Sequence, residues 1–145
     1  MTRCPPHTFL PEDNGDTPRV RPLLLCPVSA GWPSPSEDYI EGKLNLHSHV
    51  VRNESATFFV KAGGDSMLGA GIHEGDLLVV DRSISPVPGK VVIACVEGEF
   101  TVKQLARCGG RLLLLPENPD YREIDITGCE DVQIWGVVTY VVHAL

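Results

Sequence analysis

The 145-residue sequence predicts an all-β domain preceded by an extended N-terminal arm. Six segments from Thr57 onward are rich in β-branched residues or leucine, and glycine- and proline-containing turns separate them. No stretch of useful length repeats apolar residues at helical spacing. Strands that must bury an apolar face with no helices to cover them pack into an all-β architecture. A chain of this length holds one such domain and a short appendage.

The elements follow in order. Residues 1–36 contain eight of the twelve prolines, with acidic and small polar residues and little periodicity. They read as an extended, mobile arm. Glu37 to Leu46 is short and mostly polar, and is expected to make one or two helical turns capped by Ser36. The strands are then TFFVKA, DLLVVDR, KVVIACVEG, EFTVKQLA, RLLLLPEN and DVQIWGVVTYVVHAL. Between them stand Gly63-Gly64, Pro86-Val87-Pro88-Gly89, Glu97-Gly98-Glu99, Cys108-Gly109-Gly110 and Pro116-Glu117-Asn118-Pro119. A hairpin turning at Gly98 puts Glu99, Thr101, Lys103 and Leu105 on one strand face and Phe100 and Val102 on the other. The closing segment is expected to offer paired edge strands or an apolar face.

Composition narrows the function classes. A formal charge of −7 argues against binding to nucleic-acid phosphates, and Arg3, Arg19 and Arg21 read as charges on a solvated arm. The longest apolar runs, around Leu77–Val80 and Val137–Val142, are strand-sized and too short to span a membrane. Prolines and acids in the first thirty residues break any signal-peptide core. Five cysteines, Cys4, Cys26, Cys95, Cys108 and Cys129, show no C-x-x-C pair. They read as reduced thiols of a cytoplasmic protein, with Cys95 a small buried apolar residue.

The stretch KAGGDSMLGAG, residues 61–71, places Ser66 on a glycine-loosened turn at a strand end, where a nucleophile sits well. No histidine lies close by in the familiar triad manner to take its proton. Lys103 is a lone cation among apolar strand neighbours. Burial disfavours an ammonium and lowers its pKa, which lets a lysine act as general base for a serine. On this reading Ser66 is the nucleophile and Lys103 the base.

Four stretches stand in order: AGWPSPSEDYIEGKLNL, FFVKAGGDSM, GDLLVVDRSISPVPGKVVIA and GEFTVKQL. From about Ser29 to the C-terminus they resemble the LexA/UmuD group of self-cleaving serine proteases, the peptidase S24 family, and within it the UmuD type. The resemblance implies a compact, strongly curved multi-stranded β domain. It puts Ser66 at the serine position and Lys103, 37 residues later, at the lysine position. It also puts the scissile bond between Ala30 and Gly31, so that residues 1–30 are a removable arm and 31–145 the protease-like domain. The Ser66 backbone N–H and one from an adjacent turn residue are expected to bind the oxyanion. Val28 would fill a shallow apolar pocket. UmuD-type members often carry cysteine where Ala30 stands; repressor members carry alanine there.

The same resemblance implies a homodimer, stimulation by the RecA–single-stranded-DNA filament, and action of the processed dimer with a UmuC-type Y-family polymerase in translesion synthesis and mutagenesis. A repressor of this group needs an N-terminal helix-turn-helix domain. Only thirty residues precede the expected cut, and their prolines exclude a recognition helix, so neither repression nor sequence-specific DNA binding is expected.

Blander readings stand beside these. Without the flanking motifs, Ser66 is a polar turn residue and Lys103 a surface strand lysine. Asp65 and Asp81 read as turn and strand-end residues. His47 and His49 share a strand face but lack a third ligand, and His73 and His143 have no identifiable partner, so no metal and no cofactor are expected. Trp32 and Trp135 read as packing residues. The rival functions are a non-enzymatic polymerase subunit with a vestigial dyad, a signal-peptidase relative, which needs a membrane anchor, and an orphaned repressor fragment.

Overall fold

A computed structural model describes residues 19–24 and 40–145. The chain divides into two compact units, Met1–Leu46 and His47–Leu145. In the first, β1 (Val20–Leu24) pairs antiparallel with β2 (Ile40–Asn45), from Val20 opposite Asn45 to Leu24 opposite Ile40. The arm therefore contributes a strand, and the expected helix over 37–46 is instead β2. IEGKLN alternates Ile40, Gly42 and Leu44 with Glu41, Lys43 and Asn45, a period-2 pattern that a glycine in an apolar slot had masked. The helical turn comes later, as α1 (Leu46–Val50).

The second unit is a seven-stranded sheet in the order β3-β4-β9-β5-β6-β7-β8, every neighbouring pair antiparallel. Its strands are β3 (Thr57–Lys61), β4 (Leu77–Asp81), β5 (Val91–Val96), β6 (Glu99–Cys108), β7 (Arg111–Leu115), β8 (Ile124–Asp125) and β9 (Val132–Val142). All six segments expected from the sequence form strands; β8, two residues long, lacks a pattern to announce it. The β5–β6 hairpin turns at Glu97 and Gly98, both at positive φ, 52° and 81°. That pair of left-handed residues is the turn whose twist matches antiparallel strands.

The long last strand is not an edge: β9 lies between β4 and β5 and is paired on both sides. Its burial is greatest at the centre, where Gly136 and Val137 are buried, while Gln133, Trp135, Thr139, Val141 and Val142 are exposed. Alternation along the central strands feeds two cores. Ile93 joins Met67, Ile72, Leu78, Val80 and Val102, whereas Val92 and Ala94 join Leu105, Leu114, Ile126 and Val137. Gly136 is required where β9 crosses β4, because a Cβ there would lie 2.6 Å from Val80 Cγ1 and 3.2 Å from the Asp81 carbonyl oxygen. Cys95, expected buried, is only half-buried.

Candidate functional site

Strand β3 is an edge of the sheet and runs into the loop Gly63–Ser66. Gly64, at φ +78°, supplies a left-handed residue that lets the chain turn sharply before Ser66. Behind the serine, Met67 is 1% exposed and seats the loop in the first core. A second segment clamps it from outside. Glu117 N–H donates to the Ser66 carbonyl at 2.8 Å and Gly69 N–H donates to the Glu117 carbonyl at 2.7 Å. Asn118 Nδ2 donates to the Asp65 carbonyl at 2.8 Å, and Tyr121 Oη–H to Asp65 Oδ1 at 2.6 Å. Gly69 permits this approach, since a Cβ there would lie 2.9 Å from the Glu117 carbonyl oxygen. Asp65 is thus a turn residue tied into the clamp, and its bond raises the Tyr121 phenol pKa.

Lys103 reaches the same point from β6. Four positions separate β3 from β6 in the sheet order, so the two meet only because the sheet curls strongly. Lys103 Nζ lies 2.8 Å from Ser66 Oγ, 2.6 Å from Thr101 Oγ1 and 3.0 Å from the Val102 carbonyl. Thr101, two residues before Lys103, comes to hand through strand alternation. Lys103 and Ser66 are each 7% exposed. The three partners of the amine are neutral, and burial pushes its pKa below the ordinary 10.5. A neutral amine here can accept the serine proton; the ammonium can only donate.

The pair opens onto a cavity of about 280 Å³ whose walls include Val60, Ala62, Leu78, Ile93, Phe100 and Tyr121. The lining from Val60 to Ser66 follows the β3 edge, a place where an extended peptide can add as a further strand. Ala30 and Gly31, with Val28 and Trp32, lie outside the described residues.

The other singled-out residues fall elsewhere. Asp81 accepts from the Ser83 backbone N–H at 2.8 Å, a strand-end role. His47 and His49 lie on α1 and not on a strand; His47 is exposed and pairs with Glu54 at 3.0 Å, and the His49 ring is tilted 53° to that of Tyr140 at 5.9 Å between centroids. Trp135, 36% exposed, packs edge-on against Phe100 and beneath Arg82. His73 and His143, without partners in the sequence reading, both meet the buried Asp76. The missed signal is spacing across strands: Leu77 pairs with Val142, so the residues just outside that pair, Asp76 and His143, face each other.

The sequence profile of the peptidase S24-like family matches residues 22–139. The chain is 44% identical to protein ImpA of Salmonella typhimurium over 91% of its length and 90% of ImpA. It is 49% identical to protein SamA of Salmonella typhimurium strain LT2, over 84% of each chain. It is 36% identical to the LexA repressor of Bordetella parapertussis over 79% of its length, which covers 52% of that repressor.

Proposed function

The chain belongs to the peptidase S24-like family, and on that premise we propose that it is a UmuD-type protease that cleaves itself between Ala30 and Gly31. The observation that carries the proposal is the 2.8 Å separation of Lys103 Nζ and Ser66 Oγ, both buried and with no histidine between them.

Neutral Lys103 accepts the Ser66 proton as Oγ bonds to the Ala30 carbonyl carbon. Backbone N–H groups, that of Ser66 among them, hold the oxyanion. Lys103 returns the proton to the Gly31 nitrogen as the C–N bond breaks. Water, deprotonated by the same amine, then releases Ala30 as a carboxylate and frees Ser66. The cavity along β3 accepts the arm as an added strand, and the small side chains of Ala30 and Gly31 let the backbone approach the hydroxyl. Because substrate and site belong to one chain or one dimer, effective concentration replaces tight binding.

Two unfavourable steps keep the reaction slow unaided: docking of the arm and loss of the Lys103 proton. A partner that favours the docked state accelerates cleavage without supplying a catalytic group. In this reading the partner is the RecA–single-stranded-DNA filament in the cytoplasm. The shortened homodimer then serves a UmuC-type polymerase in mutagenic translesion synthesis.

The test is intact-mass analysis after incubation with RecA, an ATP analogue and single-stranded DNA. Wild type is expected to lose residues 1–30, while Ser66→Ala and Lys103→Ala stay whole. A wild-type chain that stays whole beside a control that is cut would leave the dyad vestigial and sink the proposal.

A further inference from the structure

Away from the serine, a second cluster of side chains has no part in the chemistry above. Asp76 is 4% exposed and sits between two accessible imidazoles, His73 and His143, whose side chains are 49% and 40% exposed. His143 Nδ1 is 2.6 Å from Asp76 Oδ1, and His73 Nδ1 is 3.6 Å from Asp76 Oδ2. The two rings lie 4.4 Å apart. One ligand atom from each residue falls within 4.8 Å of the other two.

We propose that His73, Asp76 and His143 bind one transition-metal dication of the zinc class. Two imidazoles and one carboxylate suit such an ion, whereas calcium and magnesium require mostly oxygen donors. Three protein ligands leave the fourth tetrahedral position to water. Ligand atoms about 2.0–2.1 Å from zinc stand about 3.3 Å apart, so the widest gap must close by at most about 1.5 Å and the His143–Asp76 contact must open by about 0.7 Å. The exposed imidazoles can make those adjustments while the carboxylate holds still.

Asp76 is the fixed member because the backbone around it is stapled. His73 N–H donates to Asp76 Oδ2 at 2.8 Å, which orients the carboxylate from behind as an outer-sphere partner does. Asp76 N–H donates to the His73 carbonyl, Ala62 N–H to the Asp76 carbonyl and Gly75 N–H to the Ala62 carbonyl, at 3.1, 2.8 and 2.8 Å. On the other side, the pairing of Leu77 with Val142 delivers His143 from the end of β9. A bound ion therefore cross-links the chain end to the turn that opens β4, beside Ala62 at the entrance to the Ser66 loop.

The experiment is a zinc titration of the full, EDTA-treated chain by calorimetry, with cobalt absorption as a report on ligand type. One ion per chain is expected, with a tetrahedral cobalt spectrum lacking thiolate charge-transfer bands. His73→Ala and His143→Ala each weaken binding by more than about tenfold, the least that losing even an outer-sphere partner costs. His47→Ala leaves binding unchanged. Zinc raises the Tm of wild type and not that of His143→Ala. Both variants replace exposed rings, and matching metal-free circular dichroism spectra show that they fold. A wild-type chain that binds no ion at this stoichiometry, variants that bind as wild type does, or thiolate bands would each overturn the site and leave a hydrogen-bonded His–Asp–His clamp.

Discussion

Lys103 and Asp76 are both buried charged residues near the two ends of the segment Ala62–Asp76, and they are satisfied in opposite ways. Among the described residues, the groups that Lys103 bonds are two hydroxyls and a carbonyl, all neutral. Dehydration is therefore free to push its pKa down. Asp76 accepts a backbone N–H from His73 and faces two imidazoles. The His73 amide bond first, and His143 after it, hold its carboxyl below the usual range despite burial. A buried charge without a counter-charge is poised to change protonation state, which catalysis uses. One surrounded by donors is locked in its ionised form, which suits structure and metal binding.

Variants test that contrast. Ser66→Ala or Lys103→Ala is expected to lower self-cleavage by about 10³-fold or more, since members of a catalytic unit are not additive; His143→Ala should leave the rate within a small factor, read by band intensity over time. In wild type, unaided cleavage should climb by about tenfold per pH unit while Lys103 remains protonated and level off above its depressed pKa. A profile with no rise anywhere between pH 5 and 10 would remove Lys103 as base.

Gly69→Ala sets a Cβ 2.9 Å from the Glu117 carbonyl oxygen, a backbone atom that cannot swing aside. A cost of about 1–3 kcal/mol is expected in urea denaturation, with slower cleavage as the serine loop shifts. Lys103→Met acts in the other direction. Folded Lys103 binds its proton less tightly than the unfolded chain does, so between its folded pKa and the ordinary 10.5 the unfolded state holds more protons and wild-type stability rises with pH. The variant should be more stable near neutrality by about 0.5–2 kcal/mol and should lack that rise, its advantage fading toward the ordinary pKa. Denaturation at pH 7 and pH 10 checks both signs. The smallest effect is expected for Tyr121→Phe, which removes the 2.6 Å bond to Asp65 at an exposed edge and should slow cleavage within about tenfold.

Much of this was legible in the chain. β3 to β7 and β9 announce themselves through period-2 or continuous apolar runs between glycine and proline turns, and the Glu97-Gly98 turn is visible as a dipeptide. Ser66 and Lys103 stood out by motif order rather than by any rule of spacing, and the structure sets their tips 2.8 Å apart. The readings that failed share a cause. β2 was read as helix because its polarity and Gly42 hid an alternation that pairing with β1 stabilises. Of the two roles expected for the closing segment, paired edge strands or an apolar face, the edge fails because β9 has neighbours on both sides. Asp76 and His143, 67 residues apart, meet through a strand register that no local pattern encodes.

By itself, then, the order of residues determined which segments are strands, where they turn, and which serine and lysine carry a recognisable motif. These depend on local propensity and on alternation within a few residues. Only the folded sheet decided that its curl would bring β6 to the end of β3, that burial would strip water from an amine bonded to neutral groups, and that one aspartate would face two histidines. Those outcomes depend on pairings between distant strands, and dehydration exists only once the strands have closed around the side chain.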